Sequence, residues 1–290
     1  MIRSMTTAVI FAHGMWGVSS EGSVSLCDKT YSHTWNTKAS MLAARSDMTA
    51  TTVGDAIYLI GGCTMDQTWV TGPFPSYVCG GGIPSAISGK TTAYLPKGDE
   101  HRTGLPDAPH ARYRHAAAAV GGKIYVFGGT NGTEAIVQHV DVFDTTTSTW
   151  STLPEAFLNA TTDNAAFAHG GKIYVLGGYD AQWSAKTTTY IFDPSKAGLA
   201  AWTMGPEMQQ GRGDFSALMV GDSAFAIGGF HDGNNFEAPL ETIERLDVGA
   251  GATKWMVRKA MSTARGDKAV AAVNGALHVV GGEGKSTDGH

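Results

Sequence analysis

KIYVFGG occupies positions 123–129, and close variants of this string recur along the chain: AIYLIGG at 56–62, KIYVLGG at 172–178, SAFAIGG at 223–229 and ALHVVGG at 276–282. The glycine pairs that close them, Gly61–Gly62, Gly128–Gly129, Gly177–Gly178, Gly228–Gly229 and Gly281–Gly282, are 67, 49, 51 and 53 residues apart. Periods of this size mark repeat architectures. Three residues before each pair stands a ring: Tyr58, Tyr125, Tyr174, Phe225 or His278. Upstream of each run lies a second β-rich segment, joined to it by a tight turn carrying Gly, which reads as a hairpin.

The register extends well beyond the hairpin. Fourteen residues before the first Gly of each pair come Asp47, Arg114, Asp163, Asp214 and Asp267; sixteen before it come Arg45, Arg112, Thr161, Arg212 and Arg265. A third strand ends in Asp28, Asp144, Asp193 or Asp247, and six to nine residues later stands Trp35, Trp150, Trp202 or Trp255. Matching columns of this kind describe an array of four-stranded units. The Arg column is expected to pair with the neighbouring Asp and tie loop carbonyls between adjacent units, since a guanidinium fork suits that task.

These columns resemble the Kelch repeat, whose signature is a double glycine ending one strand, a Tyr before it and a later Trp. The resemblance runs from about Thr7 to Gly282 and implies an all-β fold: a β-propeller in which each repeat is one blade around a central channel. Three places depart from the pattern. AVIFAHG at 8–14 has His13 for one glycine, the unit with Tyr94-Leu95-Pro96 has no Trp and a vague fourth strand, and Thr161 stands where the other four units have Arg.

Six second-strand segments, at 8–12, 56–60, 123–127, 172–176, 223–227 and 276–280, lead us to expect one domain over 1–290 with six blades. The first and last are incomplete: the first lacks its first strand and the last has two strands, so 21 strands stand where six full blades need 24. Such an open edge invites association, and a partner or missing chain is expected to cover it. The main irregularity is an insertion at about 63–90 holding Trp69, Phe74, Tyr77, three prolines and the run 80–82 of glycines. Loops of that length are usually functional or disordered. Its rings and prolines suggest an ordered flap that packs on the propeller or meets a partner.

The chain has 290 residues, 42% apolar and 16% charged, with 21 Lys+Arg against 26 Asp+Glu, a formal net charge of −5. That composition excludes intrinsic disorder and argues against a protein that grips nucleic-acid phosphates. No apolar run reaches 18 residues, so no membrane span is expected. Of three cysteines, Cys63 and Cys79 bracket part of the insertion and are candidates for a disulfide. Asn131 and Asn159 head Asn-x-Thr sequons. Together these features slightly favour an extracellular or secretory setting over the cytoplasm, and a glycoprotein.

Catalysis finds no anchor. There is no Gly-x-Ser-x-Gly elbow and no phosphate loop, and the ten histidines lack metal-ligand spacing. No metal or cofactor is expected. The loop at 231–235 is an Asp/Asn/Gly turn that could offer oxygens to calcium but reads first as a turn. Arg-Gly-Asp at 212–214 and 265–267 falls in the repeat columns and is assigned to them. The expected function is that of a non-catalytic interaction or scaffold module with a protein partner. Its binding candidates are Arg45, Arg112, Arg114, Arg212 and Arg265 with Trp69, Phe74 and Tyr77. A role as a ubiquitin-ligase substrate receptor would need regions outside this sequence. The alternatives are a carbohydrate-active propeller, such as a sugar mutarotase or epimerase, and an exported glycan binder.

Overall fold

The computed structural model describes residues 38–41, 45, 47–63, 87–133, 135–157, 159–231, 239–273 and 275–284, and the backbone alone of 24–26 and 29–31. Among the described residues the chain is built of strands, with one short 3-10 turn at Gly198–Ala201. A hairpin of β1 (Val24–Leu26) and β2 (Lys29–Tyr31) comes first. Four four-stranded sheets follow. They comprise β3 (Thr49–Val53), β4 (Ala56–Ile60), β5 (Thr91–Leu95) and β6 (Glu100–Arg102); β7 (Ala116–Val120), β8 (Lys123–Phe127), β9 (Asp141–Asp144) and β10 (Thr149–Thr152); β11 (Ala165–His169), β12 (Lys172–Leu176), β13 (Thr189–Phe192) and β14 (Trp202–Met204); and β15 (Ser216–Val220), β16 (Ser223–Ile227), β17 (Ile243–Asp247) and β18 (Met256–Arg258). The hairpin of β19 (Ala269–Val273) and β20 (Ala276–Val280) ends the series.

Each sheet is an antiparallel meander in chain order. The first strands β3, β7, β11, β15 and β19 lie side by side in that sequence, which sets the sheets radially, as blades of a propeller. This geometry explains why the second strands are uninterrupted apolar runs. β4 is buried at all five positions: Ala56, Tyr58 and Ile60 meet Ile124, Val126 and Phe143 of the β7–β10 blade, while Ile57 and Leu59 pack with Tyr94, Met41 and Met48. Tyr58 on β4 packs against Phe143 on β9 at 5.7 Å, and Tyr125 on β8 against Phe192 on β13 at 5.5 Å, so these two rings fill the wedge toward the next blade. Burying a side chain of this size contributes roughly 1.5–3 kcal/mol.

The glycine pair is where blades touch. At Gly128 (φ 66°) a Cβ would lie 2.1 Å from the Thr161 carbonyl of the next blade. The second glycine uses that closeness: Gly62, Gly129, Gly178 and Gly229 donate their N–H to the carbonyls of Arg112, Thr161, Arg212 and Arg265, at 2.8–3.0 Å. The tie between blades is therefore a backbone hydrogen bond, where the sequence suggested an arginine side chain. Gly281 differs. Among the described residues nothing lies within 4 Å of its Cβ position, and β20 has no fully buried residue. Among the described residues, no further blade packs against β19–β20.

The strand expected at 8–12 lies outside the described residues. The vague fourth strand after Tyr94 is β6, and the ring missing from its unit is supplied by His101, cross-strand partner of Tyr94 with centroids 5.1 Å apart. The insertion leaves and returns through a short bridge, Cys63 opposite Ile87, with Ser88 N–H donating to Gly62 O at 2.8 Å. The shorter loops use equivalent bridges, Thr130 to Ile136 and Tyr179 to Ala185.

Candidate functional site

The arginine column is a set of backbone clamps. Arg45, Arg112, Arg212 and Arg265 each direct Nη1 to the carbonyl of the glycine sixteen residues on: Gly61, Gly128, Gly228 and Gly281, at 2.8–3.1 Å. Thr161 makes the same contact through Oγ1, 2.7 Å from Gly177 O. The acid partner is not the nearby Asp, as expected from sequence, but a third-strand residue. Arg112 Nη2 meets Asp141 Oδ2 at 2.7 Å, and Arg212 Nη2 meets Glu244 Oε1 at 2.6 Å. All four side chains are buried. Arg45 finds Thr92 Oγ1 at the matching place, and in the Thr161 blade that place holds Tyr190. The acid is thus present where the guanidinium is fully buried. An unpaired buried charge costs several kcal/mol, which a half-exposed Arg45 avoids.

The Asp/Arg column two residues on does something else. Asp47, Arg114, Asp163, Asp214 and Asp267 all adopt φ of 44–55°. Their backbones form a chain across the blades: Arg114 N–H donates to Asp47 O, Asp163 to Arg114 O, Asp214 to Asp163 O and Asp267 to Asp214 O, at 2.7–3.2 Å. Left-handed residues are tolerated here because Asp is among the residue types that enter this region with least strain. The side chains converge. Arg114 Nε lies 3.7 Å from Asp163 Oδ1, with its guanidinium 5.3 Å from the Tyr113 ring and 5.6 Å from that of Trp183.

Burial governs the charges at this axis. Desolvation raises Asp163 to about 6 despite Arg114 beside it. Asp214 is raised well above the usual range by burial and by the neighbouring Asp163. Burial also raises the Tyr179 hydroxyl, which faces Asp214. Arg114 is held charged by Asp163, Asp214 and Asp47, whose attraction outweighs its desolvation. In the adjoining seams, burial lowers His115 to about 3 and Lys268 to about 7, and Lys268 Nζ has no hydrogen-bond partner among the described residues.

Comparison with known proteins agrees with these columns. Residues 100–229 match the family model described as the KLHDC2/KLHL20/DRC7 Kelch-repeats domain. A putative F-box/kelch-repeat protein of Arabidopsis thaliana is 36% identical over 95 residues, which are 33% of this chain and 24% of that protein. A second F-box/kelch-repeat protein of Arabidopsis thaliana is 30% identical over 124 residues, 42% of this chain and 30% of its own length. The chain therefore spans about a quarter to a third of these relatives. The solved structure of YjhT superposes with a TM-score of 0.65 at 18% identity, covering 84% of this chain and 75% of that one, a likeness of fold. Residues 100–229 carry Kelch repeats, and the fold is a β-propeller.

Within this Kelch propeller the sequence candidates separate into groups. Arg112 and Arg212 are enclosed clamps, Arg45 and Arg265 are clamps with solvent access, and Arg114 belongs to the axial cluster. Trp69, Phe74, Tyr77 and Cys79 lie outside the described residues, as do 232–238 of the Asp/Asn/Gly loop. Cys63 is buried and disulfide-bonded, the other half of the bond lying outside the described residues. Asn159 is exposed, while Asn131 Oδ1 accepts from Thr133 N–H, Thr133 Oγ1 and Ala135 N–H in a local turn. The column tryptophans brace linkers: Trp150 Nε1 donates to Pro106 O at 2.9 Å and Trp255 Nε1 to Pro206 O at 3.0 Å. Sequence reasoning missed Asp141 and Glu244. Their signal was an acid 29 or 32 residues after each enclosed arginine.

Proposed function

We propose that this Kelch propeller acts as a non-catalytic protein-interaction module, engaging its partner through the mouth loops and the 63–90 insertion. The observation that carries this reading is the fate of the recurring arginines. Arg112 and Arg212 direct donors to blade carbonyls and to Asp141 and Glu244, leaving among the described residues no convergent set of open guanidinium groups to bind and turn over a small acid. The names of the Arabidopsis relatives set Kelch repeats beside an F-box, which fits a recognition role.

The carbohydrate-active reading has one observation in its favour: Arg114 stands against Asp163 and Asp214, acids with raised pKa. Weighing against it, Asp163 is buried and the column is laced together by its own backbone bonds. The test is hydrogen exchange of the purified chain with and without proteins captured from its native source. Protection confined to mouth loops and 63–90 supports the proposal; measured mutarotation or epimerisation of a free sugar sinks it.

A further inference from the structure

β18 is the outermost strand of its blade: it pairs with β17 on one side, and among the described residues its other edge is open. Met256 and Val257 stand on it 41% and 52% exposed. The fold does not ask for apolar side chains there. In the β7–β10 blade the column tryptophan, Trp150, is followed by Ser151 and Thr152, where Met256 and Val257 follow Trp255. The neighbouring blade extends the apolar surface. Met204 on β14 is 56% exposed, and Pro206, two residues on, accepts from Trp255 Nε1 at 3.0 Å, which holds the end of β14 beside the start of β18.

The charge along this edge has one sign. Between Asp247 and Asp267 the sequence holds Lys254, Arg258, Lys259 and Arg265 and no acid, in a chain whose net charge is −5. Arg265 is engaged as a clamp on Gly281 O. Lys254 and Lys259 are exposed, Arg258 is half-buried, and none of these three makes an ion pair among the described residues. Asp247 on β17 is engaged by Ser223 and Arg245 ahead of Arg258.

An apolar strand edge set between cations specifies what it takes. Open N–H and C=O groups accept an added strand, Met256 and Val257 cover its apolar side chains, and Lys254 and Lys259 meet acids toward its two ends. The same charges disfavour a second copy of this chain, because pairing two β18 edges sets cation against cation. We propose that β18 is a docking edge for an extended acidic segment of a partner protein, which adds to the blade as a fifth strand. This rim surface stands apart from the mouth-loop reading, and the two are tested separately.

The experiment is fluorescence anisotropy of a labelled nonapeptide that alternates glutamate and valine, titrated with the whole chain, beside the same peptide carrying lysine for glutamate. Wild type is expected to bind the glutamate peptide about tenfold or more tightly than the lysine peptide, and less tightly as salt rises. Two double variants carry the test. Lys254→Glu with Lys259→Glu reverses the charge, and Met256→Ser with Val257→Thr gives β18 the residues that β10 carries, so both should melt with wild type. Each is expected to weaken the glutamate peptide about tenfold or more, and backbone N-methylation of the peptide is expected to abolish binding. Equal affinity for the two peptides, unchanged affinity in both variants, or no binding by wild type overturns the proposal. So does a wild-type chain that ignores the peptide but sediments with phosphatidylserine vesicles, or that forms a dimer which the variants dissociate.

Discussion

Arg112 and Asp141 meet at 2.7 Å with both side chains enclosed, and they come from opposite sides of one blade: the linker before β7 and the start of β9. The Arg212–Glu244 pair repeats this at 2.6 Å two blades on. Between them the Thr161 blade has lost the arginine and the acid together. Enclosed charge is kept only as a pair, because one member alone would be left uncompensated in a low-dielectric seam.

Asp141→Ala should therefore be far worse than a typical surface change. It strands the Arg112 guanidinium and is expected to cost about 3–5 kcal/mol. Urea unfolding followed by fluorescence would measure it. A loss below 1 kcal/mol would show that water reaches Arg112 in solution.

Glycine position should decide severity. Gly121→Ala and Gly128→Ala both place a Cβ at positive φ, at 59° and 66°. Gly121 has nothing within 4 Å, whereas Gly128 has the Thr161 carbonyl at 2.1 Å. Gly121→Ala should cost about 1–2 kcal/mol of backbone strain. Gly128→Ala should cost clearly more, since the next blade must move. Thermal melts of the two variants give the ranking directly.

His115 predicts an acid limb of stability. Burial, with Arg112 and Arg45 adding to it, lowers its folded pKa to about 3, against 6.5 for the free group. Below 6.5 the unfolded chain takes up a proton that the folded chain refuses, so stability from this residue falls as pH drops from about 6.5 to 3. His115→Gln should flatten that limb in pH-dependent unfolding. An unchanged slope would mean that His115 gains solvent at low pH.

Lys268 acts with the same sign in a higher window. Its amine falls to about 7 from 10.5, chiefly through burial. The folded chain binds the proton more weakly between those values, so the residue's contribution improves as pH rises from about 7 to 10.5. Lys268→Met should raise the melting temperature at pH 7 and abolish the rise with pH. A less stable Lys268→Met chain would show that the amine has a partner in solution.

Reduction of the disulfide at Cys63 should destabilise the propeller by about 2–4 kcal/mol, the usual range for such bonds. Peptide mapping under non-reducing conditions is expected to identify Cys79 as the other half. A linkage to Cys27 would replace the expected loop closure with a tie to the N-terminal unit.

Much of the architecture was legible because a propeller repeats its chemistry. The Gly-Gly pairs, the rings three residues earlier and the Arg and Asp columns are local needs met once per blade, so each appears at a fixed offset. His101 escaped notice as the ring of its blade because imidazole is not the residue type that the Trp column leads one to expect. The partners of the arginines escaped for a different reason: Asp141 and Glu244 are reached across three strands, and the offset changes with loop length.

What the amino-acid order determined by itself is therefore the unit: hairpin, double glycine, ring and clamp arginine, each set by contacts within one blade. The direction of the charges was decided only by the tertiary structure. Pairing of strands within a blade handed the arginines to third-strand acids, and stacking the blades about an axis turned one Asp column inward around Arg114. Those outcomes depend on which groups lose water together, and desolvation is a property of the assembled ring that no single repeat contains.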